Sequence, residues 1–493
     1  MVDFENNKKG FYLLPFEQNL IRNVVLTKDV GLIPYFMHKK IGYNSVLIAG
    51  KDEDRPYLDK YVSGLKIELI NLNLPFDEGL SEYITNNYKK MDILMLMGIY
   101  EAYFNQLKLY KKLRPDGKVY LKLDANSHWM GRIDFNSTDI VDFLNNVDVI
   151  SVESKYMKKY LSSKIPYKKI EYIPNGYLDY VKNQNIYYKD KENTIITVGR
   201  IGSPEKNNEV LLEAFSLIAH DIPDWKLKLI GDVSENFKEY IKRYFNRNPK
   251  LKKRVIFTGN IESKEDLFEE YKKSKIFVLT SICEGGSPNV YSEAALNGNY
   301  IITSNIDACM DMTNNLKCGD VFNIGDIIGL AKILLKRCQD NEYLESKCEE
   351  IKKYIIDYFD YEKIVLKINY LLNLKSNDNE YKDIYDNISS TTNNIIKKIG
   401  DIINNLSKQD IDKIQYLIKE TSYIEDMLIQ INNNIINTDL KYYTNEVKNS
   451  LMDIMFELIQ GGKSVDVFKK DFFDNIIIWN NAMTTEFSSN NCG

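Results

Sequence analysis

Short, β-branched apolar runs alternate with helix-period stretches along this chain, and the pattern is run through twice. The first pass holds candidate strands at 11–14, 46–49, 67–70, 93–97, 119–123, 149–152 and 170–173. Strands separated by helices pair in parallel, because a parallel neighbour is reached only by a crossover, and the helices then cover both faces of the sheet. Pro174-Asn175-Gly176 and the polar stretch 182–191 interrupt the pattern and read as a hinge. The alternation restarts with strands at 195–198, 228–230, 255–257, 276–279 and 301–303. The predicted class is therefore α/β, with one Rossmann-like domain over 1–183 and a second over 184–376. Sheets of this kind bind ligands beyond the carboxyl ends of their strands.

From about Asn377 the pattern changes. Ile384, Ile388, Ile395, Ile399, Ile402 and Leu406 recur at helical spacing, as do Ile411, Ile414, Ile418, Ile424, Leu428, Ile431 and Ile435. An all-α appendage of about four helices is predicted over 377–493. It holds no cluster of groups suited to chemistry, and its apolar faces leave room for a homo-oligomer contact.

Composition narrows the partners. A chain of 493 residues is too long for one core, and a net charge of −5 argues against nucleic acid. The six cysteines all lie beyond residue 280 without a close CxxC pair, so free thiols in a reducing cytoplasm are expected. Asp3, Glu5, Lys8 and Lys9 precede only a short apolar run, which is neither a signal peptide nor a membrane span. Two stretches, at 108–114 and 155–169, are basic and aromatic together. Each could lie on anionic lipid at the inner membrane face, but neither has a strong apolar side, which favours a solvated helix face.

The chemistry concentrates at strand ends. Glu284-Gly-Gly-Ser-Pro-Asn-Val-Tyr-Ser-Glu293 follows the strand at 276–279 and opens a helix, with Asn289 as expected cap and Gly298 at its end. A helix starting from such a turn aims free N–H groups and a positive dipole end at the crevice, which suits phosphate. Here Gly285, Gly286, Ser287, Pro288, Asn289 and Val290 are the candidate cradle. Glu284 can face a sugar ring, and Glu293 can reach a ribose hydroxyl. Gly199-Arg200 ends the first strand of the second pass, and Lys206 follows in the same loop, so a forked cation and a point cation are held where they could grip a diphosphate. In the first pass, Gly31 in Lys28-Asp29-Val30-Gly31 could admit a phosphate or simply turn the chain. Asp124 and His128 crowd the end of the strand at 119–123.

Taken with the Pro174-Asn175-Gly176 hinge, these motifs resemble the retaining glycosyltransferases of family 4, which have the GT-B fold of two Rossmann-like domains. The likeness covers roughly 11–375 and is strongest from 170 to 305. It implies that Arg200 and Lys206 neutralise the donor diphosphate, that Glu284 contacts the transferred sugar, and that Glu293 holds the ribose. The glutamate spacing is one residue longer than the family's usual one. Pro288-Asn289-Val290 keeps the usual distance to Glu293, which places the extra residue in Gly285-Gly286-Ser287. Residues 358–362 resemble the start of the closing helix (358–376) that crosses back to the first domain.

The expected activity is transfer of a hexose or N-acetylhexosamine from a nucleoside-diphosphate sugar, with UDP favoured. The expected acceptor is a cell-envelope glycan, a lipid-linked species or a protein such as flagellin. No metal or other cofactor is expected, because cations and a helix end face the leaving diphosphate. Asp124 or His128 is placed near the sugar by its position. A nucleotide-sugar epimerase or phosphorylase of the same fold, and a catalytically silent binding protein, are the alternative readings.

Overall fold

A computed structural model of the chain describes residues 8–181 and 186–373. The expected appendage, Cys492 and part of the expected hinge lie outside the described residues.

Two sheets, each parallel throughout, organise the described chain. The first holds β1 (Gly10–Leu13), β2 (Asn44–Ala49), β3 (Lys66–Leu69), β4 (Ile93–Met97), β5 (Lys118–Leu123), β6 (Val149–Val152) and β7 (Ile170–Tyr172) in the order β3-β2-β1-β4-β5-β6-β7. The second holds β8 (Glu192–Val198), β9 (Lys226–Ile230), β10 (Val255–Gly259), β11 (Ser274–Leu279), β12 (Tyr300–Ser304) and β13 (Gly319–Phe322) in the order β10-β9-β8-β11-β12-β13. Every expected strand is present. β13 was not expected, because Gly-Asp-Val-Phe carries no apolar run and pairs only with β12 at the sheet's edge.

Strand residues alternate between two buried faces. Phe11 and Leu13 pack on one side of the first sheet, Tyr12 and Leu14 on the other. Both faces are dry because helices cover both, which is why these strands read as unbroken apolar runs. The first face is completed by a helix from much later in the chain. Helix Asn341–Tyr358 packs Ile351 and Ile355 in the second domain's core, the backbone passes Phe359, and helix Tyr361–Asn373 then sets Tyr361, Ile364, Val365 and Ile368 among Phe11, Leu13 and Phe36 of the first. Tyr43 Oη donates to Asn369 Oδ1 at 2.8 Å, and Lys367 Nζ to the Tyr172 carbonyl at 3.1 Å.

The strand order reverses between β1 and β4 in one sheet and between β8 and β11 in the other. Loops leaving two such strands diverge to opposite faces and open a crevice between them, which is where open α/β sheets place ligands. No helix among the described residues is long and apolar enough to cross a membrane.

Candidate active site

On the second domain's side, the loops after β8 and β11 are laced together. The chain leaves β8 at Gly199, whose carbonyl lies so close to Gly231 that a Cβ there would collide with it. Gly202 N donates to Asn208 Oδ1 at 2.7 Å and braces the turn. Thr280 Oγ1 donates to the Lys206 carbonyl at 2.8 Å, and Ile282 N to the Glu205 carbonyl at 2.8 Å. This lacing sets Lys206 Nζ 2.5 Å from Glu284 Oε1, an oxygen that also accepts from Ser281 Oγ. Arg200 stands at the rim, 75% exposed, with its guanidinium on Glu205. A narrow pocket between the loops is lined by Gly199, Arg200, Lys206, Asn208, Thr280 and Ser281.

The helix after the glycine-rich turn, Asn289–Leu296, begins differently from expectation. Pro288, not Asn289, occupies the cap position, extended at φ −65° and ψ 140°, and no side chain caps the helix. Asn289 is the first helical residue, and its buried Oδ1 has no hydrogen-bond partner. The first N–H groups are therefore uncapped by any side chain. Glu293 is buried on this helix, accepting from Lys264 Nζ and from Tyr271 Oη at 3.2 Å each. Gly298, in the left-handed region at φ +68°, follows its end as expected.

On the first domain's side, Gly31 lies inside helix Asp29–Phe36, and a Cβ there would strike the backbone of Leu26. Close packing on the preceding turn accounts for this glycine, and the residue of that loop directed at the site is Lys28. Solvent reaches Lys28, yet the protein packed around it lowers its pKa; Asp29 opposes the shift, and the nearby cations Lys264, Lys206 and Arg200 add to it. Four cations, one from the first domain and three from the second, thus share one region.

Beneath them sits a cluster of buried charge. Lys122 is fully buried, 2.9 Å from Asp29 Oδ2 and bonded to Glu153 Oε1. Burial raises the pKa of Glu153 well above the ordinary carboxylate value; Lys122 opposes this, and Asp124 and Asp29 reinforce it. For Asp29 burial pushes upward, but the charge and hydrogen bond of Lys122, joined by Lys28 and a backbone N–H, together hold the carboxyl below its ordinary value. Solvent reaches Asp124 through the cleft while protein surrounds it elsewhere. Its pKa is raised by burial first, then by Asp29 and Glu284, with Lys122 opposing.

The Gly285-Gly286 pair lies directly over this cluster. A Cβ on Gly285 would run into Asp124 Oδ1, and one on Gly286 into the Glu153 carboxylate. Asn175 Nδ2 bridges the domains, donating to Glu153 Oε2 at 2.8 Å and to the Ser287 carbonyl at 2.9 Å. Asn126 Nδ2 donates to the Glu284 carbonyl at 3.1 Å.

The structure therefore gathers Arg200, Lys206, Glu284, Gly285, Gly286, Ser287 and Asp124 at one cleft, with Glu293 behind. His128 stands apart from Asp124's contacts, its Nε2 2.7 Å from Arg132. Val290 packs against the second domain's core. Lys28, Lys264, Glu153 and Asn175 were not among the expected site residues. Lys28 sat beside the singled-out Gly31, and Asn175 inside the supposed hinge, but isolated polar residues carry no pattern until the fold brings them together.

Residues 192–340 match the profile of the family described as Glycosyl transferases group 1. No match to a curated protein sequence reaches significance. Among solved structures, Anabaena HepE in complex with UDP and glucose superposes with a TM-score of 0.57 at 14% identity, over 74% of this chain and 99% of that one. Sucrose-phosphate synthase from Thermosynechococcus elongatus gives 0.56 at 15% identity over 74% and 98%. A glycosyltransferase from Rickettsia africae gives 0.54 at 20% identity over 75% and 100%. The described chain has the GT-B fold, and within its second domain residues 192–340 are similar to the group 1 glycosyl transferases.

Proposed function

We propose that the protein is a retaining glycosyltransferase of the family 4 type, moving a hexose or N-acetylhexosamine from a UDP-sugar to a cell-envelope glycan, lipid-linked or protein acceptor. The observation that carries this reading is the Lys206–Glu284 contact at the switch point of the second sheet, with Lys28 of the first domain within electrostatic reach of Lys206, Arg200 and Lys264. HepE, which shares the fold, was solved with UDP and with UDP-glucose, and this supports a uridine donor here.

In this reading the donor diphosphate lies against Arg200, Lys206 and the uncapped helix start, and Lys28 approaches it from the first domain. The bond from the anomeric carbon to the phosphate oxygen breaks, and negative charge grows on the departing diphosphate. Preorganised cations and N–H groups stabilise that charge as it forms, so no divalent cation is required. The acceptor hydroxyl forms the new bond to the anomeric carbon on the same face, and its proton passes to the leaving phosphate oxygen. Glu284, released from Lys206 when the phosphate takes the ammonium, is free to bind the sugar's hydroxyls. Asp124 faces the same space from the first domain. Glu293, held by Lys264 and Tyr271, is assigned to the ribose in this reading.

Binding of UDP, GDP and their sugars to the full chain, followed by saturation-transfer NMR, tests the donor assignment. UDP-sugars should bind and UDP should compete. Absence of binding by any nucleotide would end the reading. Incubation with UDP-sugar alone separates the alternatives, because an epimerase converts its donor without acceptor and a silent binder leaves it intact.

A further inference from the structure

Two large aromatic rings stand in solvent on the loops that follow β4 and β5, Tyr100 near enough to Asp124 to feel its charge, and the cleft chemistry described so far uses neither. Tyr100 follows β4 and is 44% exposed; Trp129 follows β5 and is 54% exposed, whereas Trp225 is buried at 3%. β4 and β5 are neighbours, with Met97 opposite Lys122 and Gly98 N donating to the Lys122 carbonyl at 2.8 Å. The two rings therefore leave adjacent strands at the first domain's lip of the cleft, with Asp124 on the loop between Lys122 and Trp129.

Both rings are held in place. Tyr100 stacks on Phe16 with centroids 4.0 Å apart and planes 15° from parallel. Trp129 sits on the one-turn helix Ser127–Met130, where its backbone N–H donates to the capping Asn126 Oδ1 at 3.0 Å. That turn is tied to the second domain by Asn126 to the Glu284 carbonyl and by Ser127 N and Oγ to Asp307 at 2.6 and 3.0 Å. The Arg132 guanidinium lies over the indole at 4.5 Å and is itself fixed by His128. Exposed apolar rings that are rigid and lie at the mouth of a site mark a ligand surface more than a chance exposure.

A pyranose matches this chemistry. Its C–H faces stack on aromatic rings, and its hydroxyl edges suit an accessible carboxylate such as Asp124 and the polar groups of the 124–127 loop. The donor diphosphate is assigned to the second domain's wall, so the acceptor hydroxyl must come from the first domain's side, where the rings are. We infer that Tyr100 and Trp129 form an acceptor subsite for a carbohydrate, so that the acceptor is a glycan presented by stacking of its sugar rings. This rests on the glycosyltransferase reading above and narrows its acceptor.

The test uses the full chain with UDP bound, and titrates maltotetraose, cellotetraose and chitotetraose by calorimetry. At least one should bind. Trp129→Ala and Tyr100→Ala should each weaken that binding by about tenfold or more, whereas Trp129→Phe and Tyr100→Phe should stay within about threefold, as stacking requires only a ring. UDP affinity, measured in parallel, should be unchanged in all four variants. No binding by any of the three sugars at millimolar concentration, or binding indifferent to both alanine substitutions, overturns the subsite. Loss in the alanine variants of binding to phosphatidylglycerol vesicles, with sugar binding untouched, would assign the rings to a lipid surface and also overturn it. Failure of wild-type protein to bind UDP at all would instead count against the glycosyltransferase reading.

Discussion

The Lys206 ammonium and the Glu284 carboxylate meet at 2.5 Å although 78 residues separate them in the chain, and both are largely shielded from solvent. Each arrives by a loop from one of the two strands that flank the reversal of strand order in the second sheet. In this state each neutralises the other. An anion arriving at Lys206 would compete with Glu284 for the ammonium, and the carboxylate would then be free for a second part of the same ligand. On the proposed function, the pair would couple the two halves of a nucleotide sugar.

Substituting the cations should separate binding from turnover. Lys206→Ala and Arg200→Ala are expected to lower kcat with the UDP-sugar on the order of 10²-fold each, because such bonds strengthen as the leaving charge develops. Steady-state kinetics on folded variants checks this. Full activity of Lys206→Ala would remove the diphosphate from this loop.

Transfer should survive excess EDTA if, as proposed, side-chain cations and a helix start face the diphosphate. The measurement is initial rate before and after chelation. Abolition by EDTA with recovery on Mn²⁺ addition would require a metal site.

Lys28 gives a pH signature. Its pKa is lowered by burial and by Lys264, Lys206 and Arg200, against the pull of Asp29. A diphosphate favours the ammonium, so it raises this pKa on binding. In the window between the lowered value and that of the complex, UDP binding should take up protons, and affinity should fall as pH rises through it. Calorimetry in two buffers of different ionisation enthalpy reads the uptake, which should vanish in Lys28→Met. In the absence of ligand the sign is opposite. The unfolded chain holds this proton to higher pH than the folded one, so the group's contribution to stability grows as pH rises through the same window.

Lys191 tests the second domain's frame. Its buried Nζ donates to the carbonyls of Lys272, Ser274 and Asn297 at 3.0, 2.9 and 2.7 Å, tying β8's entrance to β11 and to the helix that carries Glu293. Lys191→Met leaves those carbonyls without their donor and should cost on the order of 3 kcal/mol. Urea unfolding followed by circular dichroism measures it, and a change below about 1 kcal/mol would show that the carbonyls find other partners.

Residues up to Leu372 form one compact unit, and a second begins at Asn373. A chain truncated after Ser376 should therefore still bind UDP and slowly hydrolyse its sugar, while losing transfer to the natural acceptor or losing self-association. Donor affinity, acceptor transfer and oligomer size, compared for both lengths, check this. Undiminished transfer at unchanged oligomer size would leave residues 377–493 without the recognition or assembly role expected of them.

Much of the architecture was legible in the residues. Runs such as Ile93–Met97 are apolar throughout because helices dry both faces of a parallel sheet, and that physical cause leaves a linear trace. The placement of Arg200, Lys206 and Glu284 in loops at strand ends, and of Glu293 on the helix that follows, was legible for a related reason. A loop at a strand's carboxyl end and a helix start are local events, and their position relative to an apolar run says which way they face. β13 escaped because an edge strand is only partly dried and needs no such run.

Tertiary structure alone decided how the two domains share the site. Nothing local distinguishes Lys122, Glu153 or Asn175 from surface residues, yet folding buries them against Asp29 and Ser287, where an unpaired charge would be costly and pairing becomes obligatory. The same holds for His128 and Asp124, four residues apart, of which one braces Arg132 and the other meets Gly285. Gly31 is required by the backbone of Leu26 against which its helix packs, while Lys28 beside it takes the place at the site. Local pattern determines which segments form strands and helices, since that is settled by neighbours a few residues away. Which charges become partners depends on what is excluded from water once the chain has closed, and that is a property of distance in space.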